Sequence, residues 1–437
     1  MKVGLISACV LMAGCASLTV ATEARDGSRP NAAVQWNAAV LEVGEQEDGF
    51  LTLKGLRTTA MMHLAMHDAL SLLNGRFATF ACDANAGKAD PVAAASHAAR
   101  TVAASQYPDA ADHFDALNAR LQPAGLGTTA RRDSERLGAA CARAVIKARE
   151  GDGWDTDAQY SWHPMAPGVY AEFREHSGTP EGFVFGAGWA NARGFALSAP
   201  DQFRAPPPPA IDSAAYTTAF DEVKQVGRFQ SMTRTNDQTH LALWWKDFAE
   251  SSHNRLARDL VVRRSLDLAE ATRLFSLINM AIFDAYVSSF DNKFHFNHWR
   301  PYTAIRWADN DGNPDTQVEA TWTNTHRHTY AFPSYPSAHG TACAAAMQAF
   351  ATVYGDNYAF TMRTDTVDIA GPFSGKIEMH PPTRSFKRFS DAADECGLSR
   401  VYLGIHFRYD SVEGVALGIR VGDNLVQTLL RPTAPEQ

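Results

Sequence analysis

The chain has 437 residues and a formal net charge of −8, from 40 basic and 48 acidic side chains. That balance argues against nucleic acid as a partner. Beyond the N-terminus no long apolar run is free of charge, so no transmembrane helix is expected.

Residues 1–24 read as an export segment. Lys2 precedes an apolar run, Val3–Met12, and small residues stand before Cys15 as in a lipobox. The expectation is an exported protein, periplasmic or held at the outer membrane of a bacterium by a lipid on Cys15. Plain cleavage near Ala21 or Ala24 is the alternative. Four thiols then remain, Cys82, Cys141, Cys343 and Cys396. An even number in an oxidising compartment suggests disulfides. Three pairings are open. Cys343–Cys396 is favoured because both flank segments that must meet, and four unpaired buried thiols are the other reading.

From Ala32 the sequence turns helical. Leu51–Leu73 carries apolar residues at helical spacing together with His63, His67 and Asp68. The two histidines are four apart, as metal ligands on one face would be. With no supporting HExxH pattern or nearby cysteine, a structural role at a helix–helix contact is the better reading. Pro91–Tyr107, Ala110–Leu121 and Arg131–Glu150 are further helices. Trp154–Pro209 is rich in aromatic, Gly and Pro residues and reads as a long irregular connection ending on four prolines. It divides an N-terminal helical half, 32–205, from a C-terminal catalytic half, 210–432. Helices resume at Ser213–Val226, Asn236–Glu250, His253–Leu260 and Asp267–Ser289. In the last, MAIFDAY (Met280–Tyr286) echoes LAMHDAL (Leu64–Leu70), which suggests a duplicated bundle. The fold class expected is all-α: two packed helix-bundle halves with long irregular connections. Asp309–Asn313 resembles a calcium loop superficially, but its glycine is misplaced and Ala320 stands where Glu is needed, so it reads as a turn.

Three segments carry chemistry. In Lys293–Pro301, Lys293 and Arg300 are seven apart, so a helix would set both cations on one side, with Pro301 ending it. Phe294, Phe296 and Trp299 flank them and would partly desolvate the pair as an anion clamp; a solvated charged face is the bland alternative. In Phe332–Tyr354, two prolines lead to Ser337, an N-cap before an alanine-rich helix. The N–H groups of Ala338, His339 and Gly340 then lack intrahelical partners and make an oxyanion site, with a proton-transfer group, His339, on the first turn. In Ser399–Asp410, Asp410 is four past His406, within reach on the same helical face to orient the imidazole. Gly404 allows close approach of another element, and Arg400 supplies a guanidinium. A buried His–Asp pair at a helix interface is the bland reading. Together the segments hold more anion-binding chemistry than a chain of this charge needs.

These segments resemble the tripartite signature of the superfamily joining vanadium-dependent haloperoxidases and phosphatidic-acid-phosphatase-type acid phosphatases: K-x6-R-P, P-S-x-H and S-R-x3-G-x-H-x3-D. Every fixed position is present in order, with PSAH for the commoner PSGH. WRPYTAIR (Trp299–Arg306), FPSYPSAHG and SRVYLGIHFRYD look most like the bacterial haloperoxidase branch. Phe332 matches an aromatic position on the halide side of fungal chloroperoxidases. The resemblance spans roughly Trp36–Leu429 and is dense from Lys293 to Asp410.

The resemblance implies an enzyme that oxidises halide with hydrogen peroxide at vanadate. His406 is the implied metal ligand, with Asp410 orienting it. Lys293, Arg300, Ser337, the Ala338 N–H and Arg400 hold the oxyanion, His339 shuttles a proton and Lys293 polarises the bound peroxide. The alternative is an exported phosphatase that needs no vanadate, with His406 as the nucleophile on a phosphate ester and His339 as the acid. A non-catalytic oxyanion-binding protein is the third reading, and His339 and the His406–Asp410 pair argue against it. The partners expected are these small molecules, no nucleic acid, and a membrane only through the N-terminal lipid. A homodimer is an open expectation.

Overall fold

The computed structural model describes residues 31–171, 183–371 and 374–433; the export segment and Cys15 lie outside the described residues. Helices dominate, as the periodicity predicts. In the first half α1 is Ala32–Asp48, α2 Lys54–Asn74, α3 Pro91–Gln106, α4 Ala111–Leu121 and α5 Thr128–Ala148. Next come α6 Ala214–Val226, α7 Asn236–Trp244, α8 Ala249–Arg263, α9 Leu268–Phe296 and α10 Pro301–Arg306. The chain closes with α11 Ala338–Tyr354, α12 Phe389–Leu403 and α13 Arg408–Thr428. No described helix is long and apolar enough to cross a membrane.

Several starts have a side-chain cap. Asn31, Asp90, Ser213, Thr235 and Asp267 cap their helices through side-chain oxygens, and Thr235 and Asp267 complete capping boxes with Gln238 and Glu270. The 29-residue α9, buried along nearly its whole length, is the central rod. It packs against α2 and against α11, which in turn packs on α13. One apolar core therefore runs from Trp36 through Leu274 and Ile278 to Phe350. Close approach of α13 to α11 depends on Gly418: a Cβ there would sit 2.2 Å from the Thr341 carbonyl oxygen.

Two expectations need correction. Asn236–Glu250 is not one helix. It breaks at Trp245–Phe248, which turns the chain into α8 and faces the Trp245 carbonyl toward the site described below. Between α11 and α12 stand two short antiparallel pairs that helical periodicity could not announce. They join β1 Phe360–Arg363 to β4 Thr383–Phe386 and β2 Thr366–Asp368 to β3 Lys376–Glu378.

The echo between α2 and α9 has a structural meaning. Asp68 accepts the backbone N–H groups of Phe80, Ala81 and Cys82 at 2.6–2.9 Å. Asp284 accepts those of Phe195, Ala196 and Leu197 at 2.6–3.2 Å. Each aspartate thus ties an irregular return strand to its helix. His63 stacks on Phe275 and bonds Asn37, and His67 meets the Ala78 carbonyl, so both histidines are structural. Cysteines pair as Cys82–Cys141 and Cys343–Cys396.

Candidate active site

The three chemical segments converge at the start of α11. Ser337 is its N-cap, extended at φ −68° and ψ 109°, and its hydroxyl accepts the Gly340 N–H at 3.3 Å. That bond corrects one expectation: Gly340 serves the cap, and the amides left for a ligand are those of Ala338 and His339.

Lys293 lies in the last turn of α9, but Arg300 is not two helical turns further along a helix. Asn297 closes α9 in the left-handed region, and Arg300 is extended at φ −88°, ψ 154°, as the residue before a proline prefers. Pro301 then opens α10. The cations converge through this turn. Lys293 Nζ donates to the carbonyls of Pro333 and Ser334 at 3.0 and 2.6 Å. Arg300 donates to Phe332 O and Ile405 O, both at 2.9 Å. The aromatic ring beside both is Phe332, 5.2 Å from Lys293 Nζ and 4.7 Å from the Arg300 guanidinium carbon. Trp299, by contrast, is buried in a separate cluster with Tyr216 and Trp307, and Phe296 packs on Tyr335. Phe294 packs on Phe290 and Tyr160.

His406 is not helical either. α12 ends at Leu403, and Gly404, at φ 78°, turns the chain where a Cβ would sit 2.3 Å from the Gly227 carbonyl oxygen. Asp410 stands in the first turn of α13 and reaches back. Its Oδ2 accepts the Phe407 N–H at 3.1 Å and lies 2.9 Å from His406 Nδ1. The sequence correctly pairs these residues but assigns the wrong backbone. Ser334, which sequence reasoning missed, donates its hydroxyl to the same Oδ2 and lies 3.2 Å from Nδ1. The available signal was a hydroxyl between Pro333 and Pro336. With Nδ1–H committed to Asp410, the lone pair of His406 lies on Nε2, 3.3 Å from Arg300 Nη1.

A second unit was invisible in the sequence: the Trp245 carbonyl, at the C-terminus of α7. It accepts Arg400 Nη2 at 3.0 Å and also bonds the His339 ring. His339 Nε2, Arg400 Nε and Arg400 Nη1 are buried without a hydrogen-bond partner among the described residues. Such atoms cost about 1–3 kcal/mol each, more when charged, unless a ligand meets them.

Electrostatics point the same way. Burial, then Arg300, Lys293, Arg400 and His339, hold His406 well below the usual imidazole range. Burial, then Arg400 and His253, does the same to His339. Lys293 is driven down by burial and then by Arg300, and burial takes Arg400 to about 10. Burial lifts Asp410 to about 7 against the pull of Ser334, Lys293 and Arg300. Both imidazoles are therefore neutral at physiological pH, and the 2.9 Å His406–Asp410 contact is a hydrogen bond, not an ion pair. A buried cluster of one amine, two guanidinium groups and one carboxyl is suited to a multiply charged oxyanion, whose charge would favour the protonated form of Lys293.

Above this floor opens a cavity of about 350 Å³, lined among others by His339, Arg400, His406, Ala338, Phe332 and Trp189. Lys293, Arg300, Ser337 and Asp410 lie buried beneath it.

Comparison with known proteins follows these lines. A family model described as the VCPO second helical-bundle domain matches residues 273–434. Vanadium chloroperoxidase of Curvularia inaequalis is 28% identical over 267 residues, 48% of this chain and 43% of that protein, so the match spans less than half of that relative. The first bacterial vanadium-dependent iodoperoxidase structure shares the fold with a TM-score of 0.74 and 22% identity, over 95% of this chain and 100% of that one. A holo-type bacterial vanadium-dependent chloroperoxidase does so with a TM-score of 0.64 and 16% identity, over 85% and 90%.

Proposed function

We propose that the chain, whose residues 273–434 match the VCPO second helical-bundle domain, is an exported peroxidase of the vanadium haloperoxidase kind that oxidises halide with hydrogen peroxide at a histidine-held vanadate. One observation carries the reading. Arg400 Nε and Nη1 and His339 Nε2 are buried and, among the described residues, unpartnered in the wall that also presents His406. The Arg400 donors, the α11 amides and the neutral His406 imidazole fit a tetrahedral oxyanion bound through one nitrogen, with His339 Nε2 beside them as a proton acceptor. His406 would hold the metal through Nε2; Lys293, Arg300, Arg400, Ser337 and the Ala338 N–H would hold its oxygens. Vanadate, when bound, supplies Lewis acidity at constant oxidation state, polarising peroxide toward attack by halide.

The chain's own residues do the rest. Asp410 and Ser334 fix the His406 tautomer, which keeps Nε2 basic. The Trp245 carbonyl holds the other ring nitrogen of His339, so Nε2 is the atom that takes a proton from incoming peroxide and returns it to the leaving oxygen. Phe332, against both Lys293 and Arg300, shields their charge from water on the cavity side. Two disulfides support an oxidising compartment for the working protein.

The same constellation would serve a phosphate ester, with His406 Nε2 as nucleophile and His339 as acid. Haloperoxidase relatives favour the first reading. Purified protein, with and without orthovanadate, is assayed for bromination with peroxide and for phosphatase turnover. Vanadate-dependent bromination is expected. Phosphatase turnover inhibited by vanadate, without halogenation, overturns the proposal.

A further inference from the structure

The cavity contains a carboxyl that halide oxidation does not use. Glu250, in the first turn of α8, lines the cavity at 4% exposure, and the Tyr286 hydroxyl lies 3.3 Å from its Oε2. In the same lining, Phe185, Trp189, Phe290 and Phe332 form one ring cluster with centroid separations of 4.6–6.3 Å, Phe332 at its edge against Lys293 and Arg300. A monatomic anion needs neither this apolar surface nor a carboxyl, which would repel it when ionised. At about 350 Å³ the space lies at the small end of organic-ligand pockets. Burial lifts Glu250 to about 7, so near neutral pH the wall presents a carboxyl that can accept or donate a hydrogen bond.

We infer that this cavity binds a neutral aromatic molecule bearing a hydroxyl or ring N–H, its ring against the aromatic cluster and its polar hydrogen on Glu250, as the acceptor of the oxidised halogen. The inference rests on the proposed function. In balance, halide, peroxide and a proton give hypohalous acid and water: halide loses two electrons and the peroxide O–O bond is reduced. The ring carbon then forms the C–X bond, its C–H proton leaves, and the hypohalous oxygen departs as water. Glu250 orients the ring and takes no part in electron transfer. The Tyr286 hydroxyl donates to Glu250 and holds the carboxyl in the wall.

The test uses indole and 1-methylindole, which share a ring and differ in the N–H donor. Calorimetric titration of the full chain should show saturable indole binding, with 1-methylindole about tenfold weaker, the worth of one hydrogen bond. Glu250→Leu should reduce that preference to less than about twofold. Should the variant not fold, wild-type kinetics decide: turnover should saturate with indole concentration and give one regioisomer where free hypohalite gives a mixture. Absence of saturable binding, or equal binding of both probes to the wild type, overturns the inference. Peroxide-driven triiodide formation without any indole reports separately on the proposed function. If triiodide forms and indole does not bind, only the inference falls. If indole binds and no triiodide forms, the proposed function falls and takes the acceptor role with it.

Discussion

Asp410 Oδ2 lies 2.9 Å from His406 Nδ1 because the carboxylate reaches back over the first turn of α13, and the same oxygen accepts the Ser334 hydroxyl and the Phe407 N–H. An asparagine oxygen could accept the same three donors, but its NH2 would then fall where Oδ1 is buried without a partner among the described residues, and its oxygen is a weaker acceptor than a carboxylate. Asp410→Asn should therefore loosen the imidazole and weaken vanadate binding by about 10- to 100-fold. Ser334→Ala should give a smaller loss in the same direction. Vanadate titration followed by calorimetry measures both; unchanged affinity in Asp410→Asn contradicts the orienting role.

The Cys343–Cys396 bridge joins α11 to α12, one turn beyond His339 on the first and one turn before Arg400 on the second. Cys82–Cys141 closes a loop of similar length, 59 against 53 residues, far from the site in sequence. Chain entropy assigns the two bridges nearly equal stabilisation, about 4 kcal/mol at most. Replacing either pair by alanine should lower the melting temperature comparably. Only the Cys343/Cys396 variant should also lose turnover per folded molecule, by roughly tenfold, from a shift of His339 relative to Arg400. Equal turnover in both variants would show that the bridge near the site is merely structural.

Asp68 and Asp284 are both lifted by burial from 3.8 to about 6, against the pull of their three backbone N–H groups. A carboxyl whose folded pKa is raised binds its proton more tightly in the native state. Its contribution is full below the unfolded value and is lost as pH rises through the folded one. The shift of about two units corresponds to about 3 kcal/mol per group. Asn at either position does not titrate. The stability advantage of the wild type over Asp284→Asn should accordingly narrow between about pH 4 and pH 7. Denaturant midpoints across that range test it; a widening gap contradicts the assigned sign.

Much of this was legible in the chain. The N-cap at Ser337 and the His406–Asp410 pairing follow from spacing, the three cations are named by the sequence motifs although helical spacing does not join them, and the MAIFDAY echo of LAMHDAL marks two aspartates that do the same work. Other parts were not. The Trp245 carbonyl that anchors Arg400 and His339 is a backbone group, and every residue has one, so only the break after α7 gives it significance. The route that joins Lys293 to Arg300 depends on Asn297 adopting the left-handed region, which local propensity allows without requiring. The three- and four-residue strands near Phe360–Phe386 are too short for any periodicity to show. Glu250 carries no motif in the sequence, and only the fold places it in the cavity wall.

The central claim is that Lys293, Arg300, Arg400, the start of α11 and His406 grip one oxyanion. Calorimetric titration of orthovanadate into wild-type and His406→Ala protein tests it most directly. Saturable one-site binding to the wild type, weakened at least a hundredfold by the substitution, about 3 kcal/mol, is the predicted result. Wild-type protein that takes up no vanadate, or a His406→Ala variant that binds it equally well, would contradict the claim.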